Sequence, residues 1–272
     1  MVLDGRKIAE ELIRELSEKS KIERFFAAFL VGENTASESF VKQKAKVAAT
    51  LGVDFRIYRL EERLSGEELR EEVRKTADNE SCGGVLVQLP LPSGVDFQYV
   101  LDAIPQDKDP DVLGEQALGA FYAGRNKVLP PAVATVEEIL KKFPMDLADS
   151  VVAVVGAGKL IGKPVGAWLS GRCKELIILK EGNDLADLKK ADLVILGTGK
   201  PGLVRPEILK DGAGVIDFGY SKNNEGKTSG DLDVLGAISD DARLAFYTPT
   251  PGGTGPILAA KLFENFYKLN QR

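Results

Sequence analysis

Apolar positions along this chain follow two alternating rhythms. Phe25–Val31 (FFAAFLV), residues 84–88 and Val151–Val155 are short, nearly continuous apolar runs, as expected of strands buried on both faces. Between them the spacing lengthens to that of helices. Ile8, Leu12, Ile13 and Leu16 form one apolar face, and Leu69 and Val73 form another behind the capping box Ser65-Gly66-Glu67-Glu68. Turn and cap residues at 32–37 open a helix that Gly52 ends, and residues 53–60 alternate like a strand. The rhythm breaks over residues 104–129 into prolines, aspartates and glycines, the pattern of a linker or a binding loop. A connecting helix over 135–143 follows. Strands are then expected at 151–155, 175–179, 192–197 and 214–218 with helices between them, and a last helix runs to the C-terminus. That alternation predicts an α/β protein whose second half is a doubly wound parallel sheet.

The strongest local pattern is VVAVVGAGKLIGKPVGAWL, which starts at Val151. A strand ends in the turn Gly156-Ala157-Gly158, and Leu160, Ile161, Val165, Trp168 and Leu169 continue at helical spacing. Strand, glycine turn and helix N-terminus make a phosphate site, because backbone without Cβ atoms approaches a pyrophosphate closely and free N–H groups face it. The spacing is G-x-G-x-x-x-G, with Gly162 as third glycine, one residue longer than the common dinucleotide fingerprint. Gly197-Thr198-Gly199 ends a later strand and is placed to line the same cofactor. Thr248-Pro249-Thr250-Pro251-Gly252-Gly253-Thr254-Gly255-Pro256, ahead of the last helix, is either punctuation or a second close-approach loop.

Composition narrows the chemistry. The chain has 272 residues, enough for about two domains. A net charge of −5 offers no basic field for nucleic acid, and no apolar run approaches the roughly 18 residues of a membrane span. Cys82 and Cys173 lie far apart and show no metal or redox spacing, which suits a reducing cytoplasm and no metal site. There is no histidine, so acid–base work falls to Lys, Tyr, Cys, Asp or Glu. Lys44 shares a helical stripe with Phe40 and Ala48. A lysine on such a stripe either snorkels to solvent or is a partly buried amine of lowered pKa, the usual form of a catalytic lysine. Gln88, at the carboxyl end of an apolar strand, either terminates that strand or faces a ligand.

Several segments together resemble the bifunctional methylenetetrahydrofolate dehydrogenase/cyclohydrolase family, over nearly the full length. Phe40-Val41-Lys42-Gln43-Lys44 is similar to its Y-V-x-x-K helix, and Gly84-Val85-Leu86-Val87-Gln88-Leu89-Pro90-Leu91-Pro92 to its G-I/V-L-V-Q-L-P-L-P strand. Lys108-Asp109-Pro110-Asp111 resembles K-D-V-D, and Gly230-Asp231-Leu232-Asp233 resembles G-D-V-D. The glycine turn and the 248–256 loop resemble V-G-R-S-x-x-V-G-R/K-P and T-P-V-P-G-G-V-G-P.

The resemblance implies an N-terminal α/β/α catalytic domain, residues 1–144 completed by 253–272, and a Rossmann-type dinucleotide-binding domain over 145–252, with a cleft between them. It implies Lys44 as the acid–base lysine, Gln88 as its hydrogen-bonding tuner and Asp111 as the pterin holder. Phe40, Pro251 and Gly252 would complete the folate site, and Gly156, Ala157, Gly158, Lys159, Leu160 and Ile161 would hold the cofactor, with Lys180, Thr198 and Gly199. The implied activity belongs to one-carbon folate metabolism. It is oxidation of 5,10-methylenetetrahydrofolate with NADP, then hydrolysis to 10-formyltetrahydrofolate, in a cytoplasmic homodimer. The alternatives are another NAD(P)-dependent oxidoreductase or a cofactor-binding protein without turnover. Three departures stand out: Phe40 replaces the family tyrosine, residues 130–135 replace its P-C-T-P-x-G segment, and Ala157 and Gly158 replace its arginine and serine. The last leaves NAD as an alternative cofactor. Glu181 favours NAD through its carboxylate, whereas Lys180 and Lys159 favour the 2′-phosphate of NADP, the reading adopted.

Overall fold

The computed structural model describes residues 1–222, 226–233 and 244–271. The chain divides into two compact units, Glu10–Pro131 with Ala259–Arg272, and Met1–Ala9 with Ala132–Leu258. The three dividing points fall within the first helix, α1 (Gly5–Ser17), at the start of the helix Pro131–Lys142, and within the last helix, α8 (Thr254–Asn270).

The first unit is built on a parallel sheet of order β2 (Phe55–Leu60), β1 (Phe25–Val31), β3 (Cys82–Val87). Every residue of β1 and β3 is buried, as their unbroken apolar runs require. Side chains alternate between the faces. Phe25, Ala27 and Phe29 pack with Leu69, Val73 and Ala77 of α3 (Gly66–Ala77). Phe26 and Ala28 pack with Ala48 and Leu51 of α2 (Thr35–Leu51) and with Leu262, Phe263 and Phe266 of α8. Helices thus cover both sides, giving three layers. The second face closes on an aromatic cluster: Phe26 stacks on Phe266 at 4.8 Å and meets Phe55 edge-on at 5.4 Å. Gly84 belongs to that packing. A Cβ there would lie 2.9 Å from the Phe266 ring, so a side chain in mid-strand would push α8 off the sheet.

The second unit has a five-stranded, all-parallel sheet of order β10 (Phe246–Tyr247), β7 (Gly214–Asp217), β6 (Leu193–Leu196), β4 (Val151–Val155), β5 (Glu175–Leu179). The chain leaves β4 for β5 on one side and reaches β6 on the other, so the strand order reverses between β4 and β6. A two-stranded hairpin, β8 (Ser221–Lys222) and β9 (Thr228–Ser229), lies outside this sheet. Among the described residues no helix is long and apolar enough to cross a membrane.

The structure differs from the sequence reading in several places. The helices expected between β5 and β6 and between β6 and β7 are short 3-10 segments, Ala186–Lys190 and Pro206–Ile208. The irregular segment 104–129 contains a helix, α5 (Glu115–Tyr122), after the short α4 (Phe97–Leu101). Its Gly114 cap has no side-chain hydrogen bond and Gly119 dilutes its apolar stripe, so it carries no helix signature. The connecting helix α6 begins at Pro131, whose fixed φ suits a first helical position, and runs to Lys142. Phe143, just beyond it, stacks on Phe246 of β10 at 4.9 Å, which joins this helix to the five-stranded sheet. Leu160 and Ile161 precede α7 (Gly162–Leu169) instead of lying on it; Leu160 is exposed and Ile161 is its cap residue.

Phe266 joins α8 to the first sheet. Phe266→Ala is expected to destabilise the first unit by about 3–5 kcal/mol. Urea unfolding followed by circular dichroism checks this, and a loss below about 1 kcal/mol would show that α8 is dispensable to that core.

Candidate active site

Lys44 lies in the middle of α2, whose start is fixed by Asn34, the side-chain acceptor for the Ser37 N–H at 2.9 Å. Its end is fixed by the left-handed Gly52 (φ 65°). Gln88 follows β3 directly, and its N–H continues the ladder to the Phe29 carbonyl at 2.9 Å. Its side-chain Nε2 donates to the Leu89 carbonyl at 2.8 Å, which turns Oε1 outward to accept from Lys44 Nζ at 2.8 Å. Asp111 is the third member. Lys44 and Asp111 keep some solvent contact, but protein atoms crowd and desolvate their charged ends. Burial pulls the Lys44 amine below the ordinary lysine range, and Asp111 opposes that pull. Burial likewise pushes the Asp111 carboxyl up, against the charge of Lys44. A lysine lowered in this way gives up its proton more readily than a solvated lysine, the direction that acid–base work by an amine requires.

The loop carrying Asp111 depends on two residues that sequence reasoning missed. Asp109 is buried, and its Oδ2 accepts from Leu113 N–H at 2.9 Å and Gly114 N–H at 2.8 Å. Asn265 of α8 is also buried and donates from Nδ2 to the Pro110 carbonyl at 2.8 Å and to the Leu129 carbonyl at 2.7 Å. Between these anchors Val112 takes φ +55°, a left-handed conformation rare for a β-branched residue and maintained only where surroundings force it. Asp109 stood in view within the Lys108-Asp109-Pro110-Asp111 motif. Asn265 sits on an amphipathic helix with no motif around it, so its role depends wholly on tertiary contact. Phe40 lies one turn before Lys44 on α2 and is partly buried.

The second unit holds the other group of expected residues. Gly156 follows β4 with φ +104°, and a Cβ on it would lie 2.5 Å from the Gly197 carbonyl oxygen. A Cβ on Gly162 would lie 1.7 Å from the Gly156 carbonyl oxygen, whereas Gly158 faces open space. The first and third glycines therefore let β4, β6 and α7 pack, and the middle one leaves an approach open. At the reversal of strand order lies a cavity of about 290 Å3. Its lining includes Gly156, Ala157, Gly158, Lys180 and Thr198 from the expected set, and also Glu181, Asn183 and Lys200. Lys159, Leu160, Ile161 and Gly199 are outside that lining; Ile161 packs against Gly197, where a Cβ would approach to 2.8 Å. Lys200 forms an ion pair with Glu181, which holds that carboxyl below its usual range.

Pro251 and Gly252 fall in the same unit as this cavity, not in the unit of Lys44. The Thr250–Pro251 bond is cis and Gly252 has φ +102°. Gly5 packs directly on this loop, since a Cβ there would lie 1.8 Å from the Gly253 carbonyl oxygen.

Burial pushes Asp109 up to about 7, with the charge of Asp111 adding to the effect and backbone N–H groups opposing it. A carboxyl raised in the folded state holds its proton between about pH 4 and 7 while the unfolded chain has lost it. Stability from this group is therefore full below pH 4 and falls as pH rises to 7, by up to about 4 kcal/mol. Asp109→Asn is expected to flatten that fall in urea titrations at successive pH values. An unchanged slope would mean that Asp109 is ionised throughout.

Comparison with known proteins adds to this geometry. Residues 3–111 match the catalytic-domain model of tetrahydrofolate dehydrogenase/cyclohydrolase, and residues 130–272 match the NAD(P)-binding-domain model of the same family. Bifunctional protein FolD of Staphylococcus carnosus is 35% identical, over 97% of this chain and 94% of its own. The crystal structure of the bifunctional methylenetetrahydrofolate dehydrogenase/cyclohydrolase of Campylobacter jejuni superimposes with a TM-score of 0.93 at 31% identity, covering 99% and 98% of the two chains. That of Trypanosoma brucei, complexed with NADP and an inhibitor, gives 0.89 at 29% identity, covering 99% and 96%. With both family models and full-length relatives in agreement, the chain belongs to the tetrahydrofolate dehydrogenase/cyclohydrolase family.

Proposed function

We propose that this chain oxidises 5,10-methylenetetrahydrofolate to the 5,10-methenyl cation with NADP and then hydrolyses the cation to 10-formyltetrahydrofolate. The observation that carries the reading is the desolvated Lys44 amine on Gln88 Oε1 with Asp111 opposing its pKa shift, within a chain that matches both domains of the family. In this reading residues 1–144 with 253–272 serve the folate and residues 145–252 the nucleotide. We place the enzyme in the cytoplasm as a homodimer, a reading consistent with its two unbridged cysteines and its family.

The cavity at the strand reversal fits a dinucleotide by its glycine turn, its open approach at Gly158 and its lysines. NADP bound there supplies the hydride acceptor. The protein's task in that step is alignment and exclusion of water. In hydrolysis, water oxygen bonds to the methenyl carbon while neutral Lys44 takes its proton. The carbon–N5 bond then breaks, and N5 receives a proton from the Lys44 ammonium as the hydroxyl becomes the formyl oxygen; the net release is one proton. Gln88 holds Nζ in place through both transfers, and Asp111 anchors the pterin ring. Phe40, which keeps an aromatic face without the family hydroxyl, flanks Lys44 on α2, and the family resemblance adds Pro251 and Gly252 as folate contacts.

Lys44→Met is expected to lower cyclohydrolase turnover by about 10²–10⁴-fold while NADP binding and folding persist. Stopped-flow hydrolysis of the methenyl cation measures this. Residual activity within a few-fold of the parent removes Lys44 from the mechanism.

Cofactor choice turns on three cavity residues. Glu181 alone would accept a ribose 2′-hydroxyl and repel a 2′-phosphate, but Lys200 is paired with it, and Lys180 adds a further cation. Lys159, Leu160, Ile161 and Gly199 belong to the turns that carry the lining. Lys180→Ala is expected to raise KM for NADP by about tenfold and KM for NAD far less. If the substitution spares NADP and Glu181→Ala weakens NAD, the enzyme is NAD-dependent.

A further inference from the structure

The Thr198–Gly199 turn at the nucleotide cavity is fixed from outside the cavity by a carboxylate. Asp231 Oδ2 accepts from the Thr198 N–H at 2.5 Å, the Thr198 hydroxyl at 2.8 Å and the Gly199 N–H at 3.3 Å. Asp231 is fully buried, and its Oδ1 has no hydrogen-bond partner. Beside it, at the end of β7, lies a second fully buried carboxyl, Asp217. Asp217 accepts from Gly219 N–H at 2.7 Å, from Leu232 N–H at 2.9 Å and from the N–H of Asp231 itself, so it grips the turn that carries Asp231.

Glycines make room for this pair. A Cβ on Gly219 would lie 2.3 Å from Asp231 Oδ1, and one on Gly230 would lie 2.2 Å from Asp217 Oδ2. The groups that reach Asp217 from beyond the sheet are hydroxyls. Thr248 Oγ1 accepts its N–H at 2.7 Å, and the Thr254 hydroxyl donates to its carbonyl at 2.8 Å. No cation is among these contacts. Each carboxyl thus takes three donors: Asp231 from the Thr198–Gly199 turn, and Asp217 from Gly219 and from the turn that carries Asp231.

We propose that Asp231 is a positioning residue for the dinucleotide, fixing the Thr198–Gly199 turn, and that Asp217 supports it by holding the turn that carries Asp231. The inference rests on the reading of that cavity as the dinucleotide site. Burial, reinforced by the charge of Asp231 and opposed by backbone N–H groups, pushes Asp217 up to about 7, so that it titrates through neutral pH, protonated below and charged above.

Isothermal titration of NADP and of NAD into the full-length protein and its variants, with thermal melting alongside, tests this. Asp231→Ala is expected to weaken both nucleotides by about tenfold or more, because charge-assisted hydrogen bonds are lost from the cavity wall. Asp231→Asn, which keeps an acceptor, should recover part of that loss. Asp217→Asn mimics the neutral acid and should stay within about threefold of the parent at pH 7. Raising the pH through 7 adds a second buried charge to the parent, so its affinity should fall more steeply than that of Asp217→Asn. A role confined to folding would move melting temperatures without this pH difference. The proposal fails if Asp231→Ala binds like the parent, or if Asp217→Asn loses as much as Asp231→Ala. Should Asp231→Ala not fold, a greater loss in Asp217→Asn than in Asp231→Asn overturns it. A parent that binds neither nucleotide overturns the cavity reading and this inference with it; a parent that binds while the variants fail the pattern overturns this inference alone.

Discussion

A lysine amine held away from bulk water, against one neutral amide oxygen and one opposing carboxylate, is the constraint on which the first unit's site depends. Desolvation pulls Lys44 toward the neutral amine, and the nearby Asp111 pulls it back toward the ammonium. Gln88 provides a contact that does not choose between them, since its Oε1 accepts from either form of the amine at 2.8 Å. Each partner is fixed by something further out. The ladder from β1 sets the Gln88 backbone, and the Leu89 carbonyl sets its amide. Asp109 and Asn265 hold the loop that ends in Asp111. The aromatic stack of Phe26 on Phe266 keeps α8, and hence Asn265, in register.

The nucleotide side follows a different logic, that of absent side chains. Gly156, Gly162 and Gly197 lie where a Cβ would meet backbone or Ile161 at 1.7–2.8 Å, so the strand ends and the start of α7 touch directly. What remains is a cavity with Lys180, Glu181 and Lys200 in its lining, at the end of β5 and beyond β6. Lys200 pairs with Glu181 there, and because both side chains are largely exposed the pair offsets the carboxylate's charge only in part.

Much of this was legible in the sequence because it rests on short-range pattern. The buried runs of β1, β3 and β4 came from continuous apolar stretches, and Lys44 and Gln88 each stood out as a polar residue on an apolar element. What escaped was set at long range. Asn265 meets Pro110 across more than a hundred residues, Lys200 meets Glu181 through the cavity rim, and Asp231 reaches Thr198 from a separate turn. The α5 helix escaped because a glycine cap and an internal glycine erase its local signal. Gly162 sits where only a glycine fits against Gly156, but Leu160 and Ile161, at helical spacing in the sequence, precede the helix, which starts at Gly162.

The ionisation of the Lys44 amine tests the account most directly. In protein carrying 13C at the lysine Cε, the resonance missing from a Lys44→Met sample identifies Lys44, and its pH titration reads the amine itself. The account requires a midpoint clearly below the roughly 10.4 of a solvated lysine, and below the other lysine midpoints read in the same sample. A Lys44 midpoint at or above the others would mean that Asp111 dominates the site, that the amine is always charged, and that the proton shuttle lies elsewhere.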